Sequence, residues 1–201
     1  MDLEAVIEAK GALRLRLREQ RKQRSARQRA QASAAIADLL DSIPEVREAG
    51  TVAAYAARPA EPDTLAWLDR AIGRGQKVML PVLGAGLARN WAYCDDLADL
   101  TERAPGRPPE PSTGELGAEA VAAADVVIAP ALAIDTRGRR LGQGGGWFDR
   151  MLALVPRGVP VIALVFDDEL FDGDAAPLPH EPHDLHVTAV VTPSGWRNLG
   201  S

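Results

Sequence analysis

The densest concentration of chemically useful residues lies between Asp135 and Arg150, which reads Asp-Thr-Arg-Gly-Arg-Arg-Leu-Gly-Gln-Gly-Gly-Gly-Trp-Phe-Asp-Arg. Asp135 with Gly138 as fourth residue suits a type I turn. Gly142, Gly144, Gly145 and Gly146 follow. Phe148, Met151, Leu152 and Val155 then recur at three- and four-residue spacing, which predicts a helix starting near Gly146. A glycine-rich loop entering a helix offers an anion free backbone N–H groups and the positive end of the helix dipole. Glycine permits both the close approach and the left-handed torsions of such a cradle. Arg139 and Arg140 add charge for phosphate, and Asp149 adds a hard oxygen ligand suited to magnesium. Two familiar phosphate motifs do not fit. The Walker pattern needs Lys after its last glycine, where Trp147 stands. The dinucleotide fingerprint needs glycine at 147 and a strand, rather than a charged turn, directly before the loop.

A second group lies at the N-terminus. Residues 10–29 carry nine cations, Lys10, Arg14, Arg16, Arg18, Arg21, Lys22, Arg24, Arg27 and Arg29, against one acid, Glu19. Such a segment suits either a solvated helix face or a nucleic-acid arm, and the solvated face is the simpler reading. Lys10 falls inside an apolar stripe with Arg14 one turn on, so these two cations call for an anionic partner. His180, His183 and His186 around Asp184 suggest a transition-metal site. Pro182 and the Asp at 184 exclude the zinc-protease helix, which leaves a surface turn as the expectation. Cys94 is expected to be a small buried side chain, and Trp67, Trp91 and Trp196 to be core residues without a tie to the site.

These groups need elements to hold them. Leu3, Val6, Ile7, Leu13 and Leu17 predict one long helix over residues 3–30, and a second covers Ala32–Leu40. Short apolar runs at Thr51–Ala57, Lys77–Val82, Asp125–Ala129, Val159–Phe166 and Val187–Thr192 read as buried strands. Pro62–Ile72 has helical spacing closed by Gly73. Ala104–Ser112 is a Pro-rich loop. The alternation predicts an α/β layered single domain spanning 1–201, with a mostly parallel central sheet flanked by helices.

The run Arg140–Arg150 resembles the signature of 5-formyltetrahydrofolate cyclo-ligases, also called methenyltetrahydrofolate synthetases: Arg-Leu-Gly-x-Gly-x-Gly, two aromatics, then Asp. Weaker matches occur in order along the chain: Lys10-Gly11-Ala12-Leu13-Arg14, Glu61-Pro62-Asp63-Thr64, Pro109-Glu110-Pro111, and His183-Asp184 followed by Val190-Val191-Thr192. The resemblance implies that Lys10, Arg14, Arg140, Leu141, Gly142, Gln143, Gly144, Gly145, Gly146, Trp147 and Phe148 bind ATP. It gives Arg140, Gly144 and Gly145 the catalytic role. Glu61 and Gln143–Trp147 would hold the folate, and Asp149 and Asp184 the magnesium. The implied reaction converts 5-formyltetrahydrofolate and ATP to 5,10-methenyltetrahydrofolate, ADP and phosphate. Three departures stand out: Trp147-Phe148 replaces the usual Tyr-Tyr, Ile134 a frequent aromatic, and Gly145 a frequently basic residue.

Composition narrows the alternatives. The 201 residues are 46% hydrophobic and 25% charged with net charge −5, ordinary values for a folded protein. The sequence contains no apolar run long enough to span a membrane, its acidic first residues lack a secretory signal's layout, and one cysteine forms no internal disulfide. These observations lead us to expect a cytoplasmic monomer with no nucleic-acid or membrane partner. The alternative is a non-catalytic nucleotide- or RNA-binding relative of the same fold.

Overall fold

The structure is a computed structural model describing residues 3–84, 86, 88–182 and 184–199. Its centre is a seven-stranded sheet in the order β10-β9-β7-β4-β1-β2-β3. The strands are β1 Thr51–Ala53, β2 Lys77–Leu83, β3 Arg89–Tyr93, β4 Val126–Pro130, β7 Val161–Leu164, β9 Ala189–Thr192 and β10 Gly195–Asn198. The five inner strands pair in parallel, and β3 and β10 close the two edges antiparallel. Parallel strands buried on both faces need apolar side chains at successive positions, which is why they read as continuous runs. Val52, Val126 and Ile128 pack on one face with Leu40, Trp67 and Leu68, while Ala53, Val127 and Ala129 pack on the other with Trp91, Met151 and Leu152. A three-stranded sheet, β6-β5-β8, lies apart (β5 Ala133–Asp135, β6 Arg140–Leu141, β8 Leu170–Phe171).

The expected helix over 3–30 is two helices, α1 Leu3–Gln23 and α2 Ala26–Ser42. The break is a capping box: Gln28 N–H donates to Ser25 Oγ at 3.2 Å and Ser25 N–H donates to Gln28 Oε1 at 2.8 Å. The expected Ala32–Leu40 is thus the latter part of α2. A short helix, α3, covers Pro44–Arg47, and α4 covers Leu65–Gly73. Gly73 belongs to α4; the left-handed residue that follows it is Gly75, at φ +81°, whose N–H donates to the Ile72 carbonyl. Residues 104–109 form the expected loop, pinned at its base by mutual backbone bonds between Thr101 and Glu110. The last helix, α5, is only Trp147–Leu152, so the spacing through Val155 overstates its length.

Helix α1 packs on the small sheet, with Leu17 among Leu132, Ala133, Leu141 and Leu178. Arg21 and Glu169, each 1% exposed at the side chain, form a two-pronged ion pair of 2.8 and 2.7 Å, and Arg21 also donates to the Ala131 carbonyl. Burial alone would lower the Arg21 pKa, but Glu169 outweighs it and raises the pKa. Arg24 lies over the Phe166 ring at 4.0 Å. Among the described residues, no helix is long and apolar enough to cross a membrane.

Candidate active site

Asp135 and Gly138 form the expected turn, with Gly138 N–H donating to the Asp135 carbonyl at 2.9 Å. A Cβ at Gly138 would stand 2.6 Å from the Val187 carbonyl, so packing as well as its φ of +81° requires glycine there. The buried Asp135 carboxylate accepts from the amides of Arg137, Arg139 and Leu178 and fixes the hairpin. Strand β6 then delivers Arg140, whose guanidinium donates to the Pro130 carbonyl at the end of β4 and pairs with Asp149. The glycine loop runs between those two anchors. Gly144 and Gly146 adopt positive φ, +96° and +61°. The amides of Gly144, Gly145 and Gly146 have no acceptor among the described residues, so three donors face open space or a ligand. With only six residues in α5, these loop donors carry more of the cradle than the helix dipole does.

Helix α1 holds the loop from one side. Arg14 Nε donates to the Gly142 carbonyl at 2.9 Å, and Arg18 donates to the Gln143 carbonyl at 2.6 Å and to its side-chain oxygen at 3.2 Å. The Gln143 amide nitrogen in turn donates to Glu61 Oε1 at 3.0 Å. Glu61 Oε2 accepts the Arg58 amide at 2.9 Å, which pins the carboxylate in the turn after β1. Gln143 is therefore the joint between the basic helix and Glu61.

Trp147 and Phe148 form one wall. Trp147 meets Trp91 edge-on at 4.9 Å between centroids, and Phe148 meets Tyr55 edge-on at 6.5 Å. Trp91 is fully buried, so it backs the site rather than being unconnected to it. Trp67 is core as expected, whereas Trp196 is exposed on β10. Burial pushes the Tyr55 phenol well above its ordinary pKa, so it stays protonated and donates to the Pro62 carbonyl.

These groups enclose a cavity of about 290 Å³. It opens at the carboxyl ends of β1, β2 and β4, where the order reverses on either side of β1, as expected for ligand sites in open α/β sheets. Of the residues expected from sequence, Glu61, Arg140, Gly142, Gln143, Gly144, Gly145, Gly146, Trp147, Phe148 and Asp149 line it. Lys10, Arg14, Leu141 and Asp184 do not. Leu141 is a core side chain. Arg18, Tyr55, Arg58, Arg107 and Glu110 line the cavity without having been assigned a role there. Arg18 was legible as the next step of the four-residue ladder Lys10-Arg14-Arg18. Tyr55, by contrast, carried no signal beyond its place at a strand end.

Lys10 is buried and donates to Glu181 at 2.6 Å and to Asp184. Its anionic partners are thus protein carboxylates, one helical turn from the Arg14 contact with the loop. Burial alone would raise the Asp184 pKa; the Glu181 amide and Lys10 offset it and hold the carboxyl below its usual range. His180 and His186 meet with tilted rings 5.1 Å between centroids, burial lowers the His180 pKa, and His183 lies outside the described residues. Among the described residues, no cluster of three or more His, Cys, Asp or Glu could hold a metal. Asp149 nevertheless fits magnesium bound with a nucleotide. It faces the cavity, one oxygen serves Arg140, and the other has no partner among the described residues. Magnesium takes one or two carboxylates and completes its shell with phosphate oxygens and water. Cys94 is buried as expected, and burial pushes its thiol up to about 11.

Residues 6–193 match the sequence profile described as the 5-formyltetrahydrofolate cyclo-ligase family. The chain belongs to this family. A protein named 5-formyltetrahydrofolate cyclo-ligase from Mycolicibacterium smegmatis is 40% identical over 140 residues, 67% of this chain and 69% of that one. The cyclo-ligase of Escherichia coli strain K12 is 31% identical over 137 residues, 67% of this chain and 72% of its own. The solved structure of 5,10-methenyltetrahydrofolate synthetase from Aquifex aeolicus superposes with a TM-score of 0.80 at 25% identity, covering 96% of this chain and 93% of the other. The cyclo-ligase fold thus extends over nearly the whole chain.

Proposed function

We propose that the chain, acting as one domain and as a cytoplasmic monomer, converts 5-formyltetrahydrofolate and ATP, with magnesium, to 5,10-methenyltetrahydrofolate, ADP and phosphate. Family membership supports the folate half. The observation that carries the ATP half is the glycine loop itself. Three loop amides lack protein acceptors, and Arg14 and Arg18 hold the adjoining carbonyls without an acidic partner of their own among the described residues. An anion completes that arrangement, and the triphosphate supplies it.

The chemistry explains the need. The N5-formyl group is an amide, with a poorly electrophilic carbon and a poor leaving oxygen. Attack of the formyl oxygen on the γ-phosphate gives an imidate-like phosphate and ADP. N10 then attacks the activated carbon and releases its proton, and phosphate departs with the formyl oxygen to leave the methenyl cation. The protein's task in the first step is in-line positioning and charge neutralisation. Glu61 accepts hydrogen bonds from pterin N–H groups once Gln143 yields its place, and Trp147 and Phe148 wall the flat ring from water. Lys10 acts at the nucleotide end, with Asp184 beside it. Asp149, with Asp184 as the second candidate, would hold magnesium, which supplies positive charge at the phosphates. Lys10, Arg21 and Arg24 each pair with an acid, which leaves the basic segment poorly supplied for RNA.

The test is to mix purified protein with 5-formyltetrahydrofolate and Mg-ATP and follow the near-ultraviolet chromophore of the methenyl product. ADP should appear in step with it and depend on both substrates. Nucleotide binding with no methenyl product would make the chain a non-catalytic relative.

A further inference from the structure

We infer that Arg18 is a phosphate-contacting residue for the transferred group, a role that rests on the ATP-dependent reaction proposed above. Phosphoryl transfer needs positive charge at the moving phosphoryl. The glycine loop brings none of its own at its apex, where Gly144, Gly145 and Gly146 stand. Arg14 also lacks an acidic partner among the described residues, but it is committed to the Gly142 carbonyl and lies outside the cavity lining, and the other cations nearby are engaged or face elsewhere. Lys10 pairs with Glu181 and Asp184, Arg21 with Glu169, and Arg24 with Asp168. Arg140 lines the cavity, but its guanidinium is held by Asp149 and the Pro130 carbonyl. Arg139 lies outside the cavity lining, and its guanidinium is 4.0 Å from the buried Asp135. Arg58 and Arg107 line the cavity, but on the side of Glu61 and the Pro-rich loop.

Arg18 differs from all of these. It is half-buried at the cavity wall and has no acidic partner among the described residues. Its Nε and one terminal nitrogen are held by Gln143, which aims the plane of the guanidinium at the loop, while Nη1 has no partner. A guanidinium oriented through two of its donors, with a third left open, is preorganised for an oxyanion. A merely structural Arg18 would only hold Gln143 against Glu61.

The experiment compares wild type, Arg18→Gln, Arg18→Lys and the double variant Arg18→Gln/Gly145→Lys, each checked by thermal melting. Gly145 tolerates the added side chain, because its φ is not positive and a Cβ there meets nothing within 4 Å. For a phosphate role, Arg18→Gln should lower kcat about 100-fold while the folate KM stays within about twofold. Binding of a non-hydrolysable ATP analogue should weaken roughly tenfold with ADP binding little changed. Arg18→Lys should fall between, and Gly145→Lys should restore at least part of the lost kcat. Three results would overturn the inference: a raised folate KM with unaltered kcat, equal losses for ADP and the analogue, or no rescue by Gly145→Lys in a folded double variant. If Arg18→Gln does not fold, Arg18→Lys decides by the contrast between analogue and ADP. Failure of wild type to form the methenyl product would sink the proposed reaction alone, since that contrast is read without turnover.

Discussion

Gly144 sits at φ +96° with the Arg14 guanidinium 3.5 Å from where a Cβ would stand. A β-branched residue there is strained by roughly 1–3 kcal/mol and would push on the arginine that ties helix to loop. We expect Gly144→Val to lose turnover by about 100-fold or more while remaining folded; near-wild-type rates in a soluble variant would remove the loop from the site. Glu61 lends itself to a different test. Both its oxygens are engaged by donors, and Glu61→Gln replaces one acceptor oxygen with a donor facing the Gln143 amide or the Arg58 N–H. We predict roughly tenfold weaker folate binding with nucleotide affinity unaltered, measured by titrating each ligand separately. That the glycines and the aromatic pair line one cavity could be read from residue type and spacing, whereas Glu61 came from the resemblance to the family's Glu-x-x-Thr. Tyr55 and Arg107 could not, because their places depend on which strand ends and loops converge on the cavity, and Arg18 showed only as a step of the basic ladder on α1. Trp91 is core as expected, but its tie to the site was missed for the same reason: nothing in its local sequence shows that Trp147 packs on it.

At the level of elements, apolar runs revealed the inner parallel strands because both faces of the sheet are covered. The edge strands β3 and β10 escaped notice because Arg89, Asn90, Arg197 and Asn198 break any apolar run, and the strands of the small sheet because two or three residues are too short for a pattern to form. The split between α1 and α2 was written in Ser25-Ala26-Arg27-Gln28, but an uninterrupted helical composition masked it. That split has a function, since it lets α1 lie on the small sheet while α2 packs on the central one. Removing the cap tests its contribution. Ser25→Ala should lower stability by about 1 kcal/mol, seen as a shifted denaturation midpoint with an unchanged slope. A loss near zero would mean that packing alone sets the bend.

Across the whole molecule, the magnesium expectation joins Asp149, which lines the cavity, with Asp184, which does not. Asp149 is anchored by Arg140, and Asp184 by Lys10. If both act on one ion, Asp149→Asn and Asp184→Asn should each move the magnesium dependence of turnover to higher concentration. The double variant should then cost less than the product of the two single effects. An unaltered magnesium titration in either single variant would strike that residue from the ligand set and leave the other to act with phosphate and water.

The contacts of α1 also bear on how the protein is made. This helix leaves the ribosome well before its anchors: 148 positions separate Arg21 from Glu169 and 174 separate Lys10 from Asp184. At cellular elongation rates the helix waits on the order of ten to thirty seconds for those carboxylates. Until then Lys10 and Arg21 lack their carboxylates, while β1, β2 and β4, all made by residue 130, can already pair with one another. The helix that holds the glycine loop is therefore expected to dock late, together with completion of the small sheet by β8. Stalled chains ending before residue 169 should show α1 open to protease, and chains reaching residue 199 should show it protected.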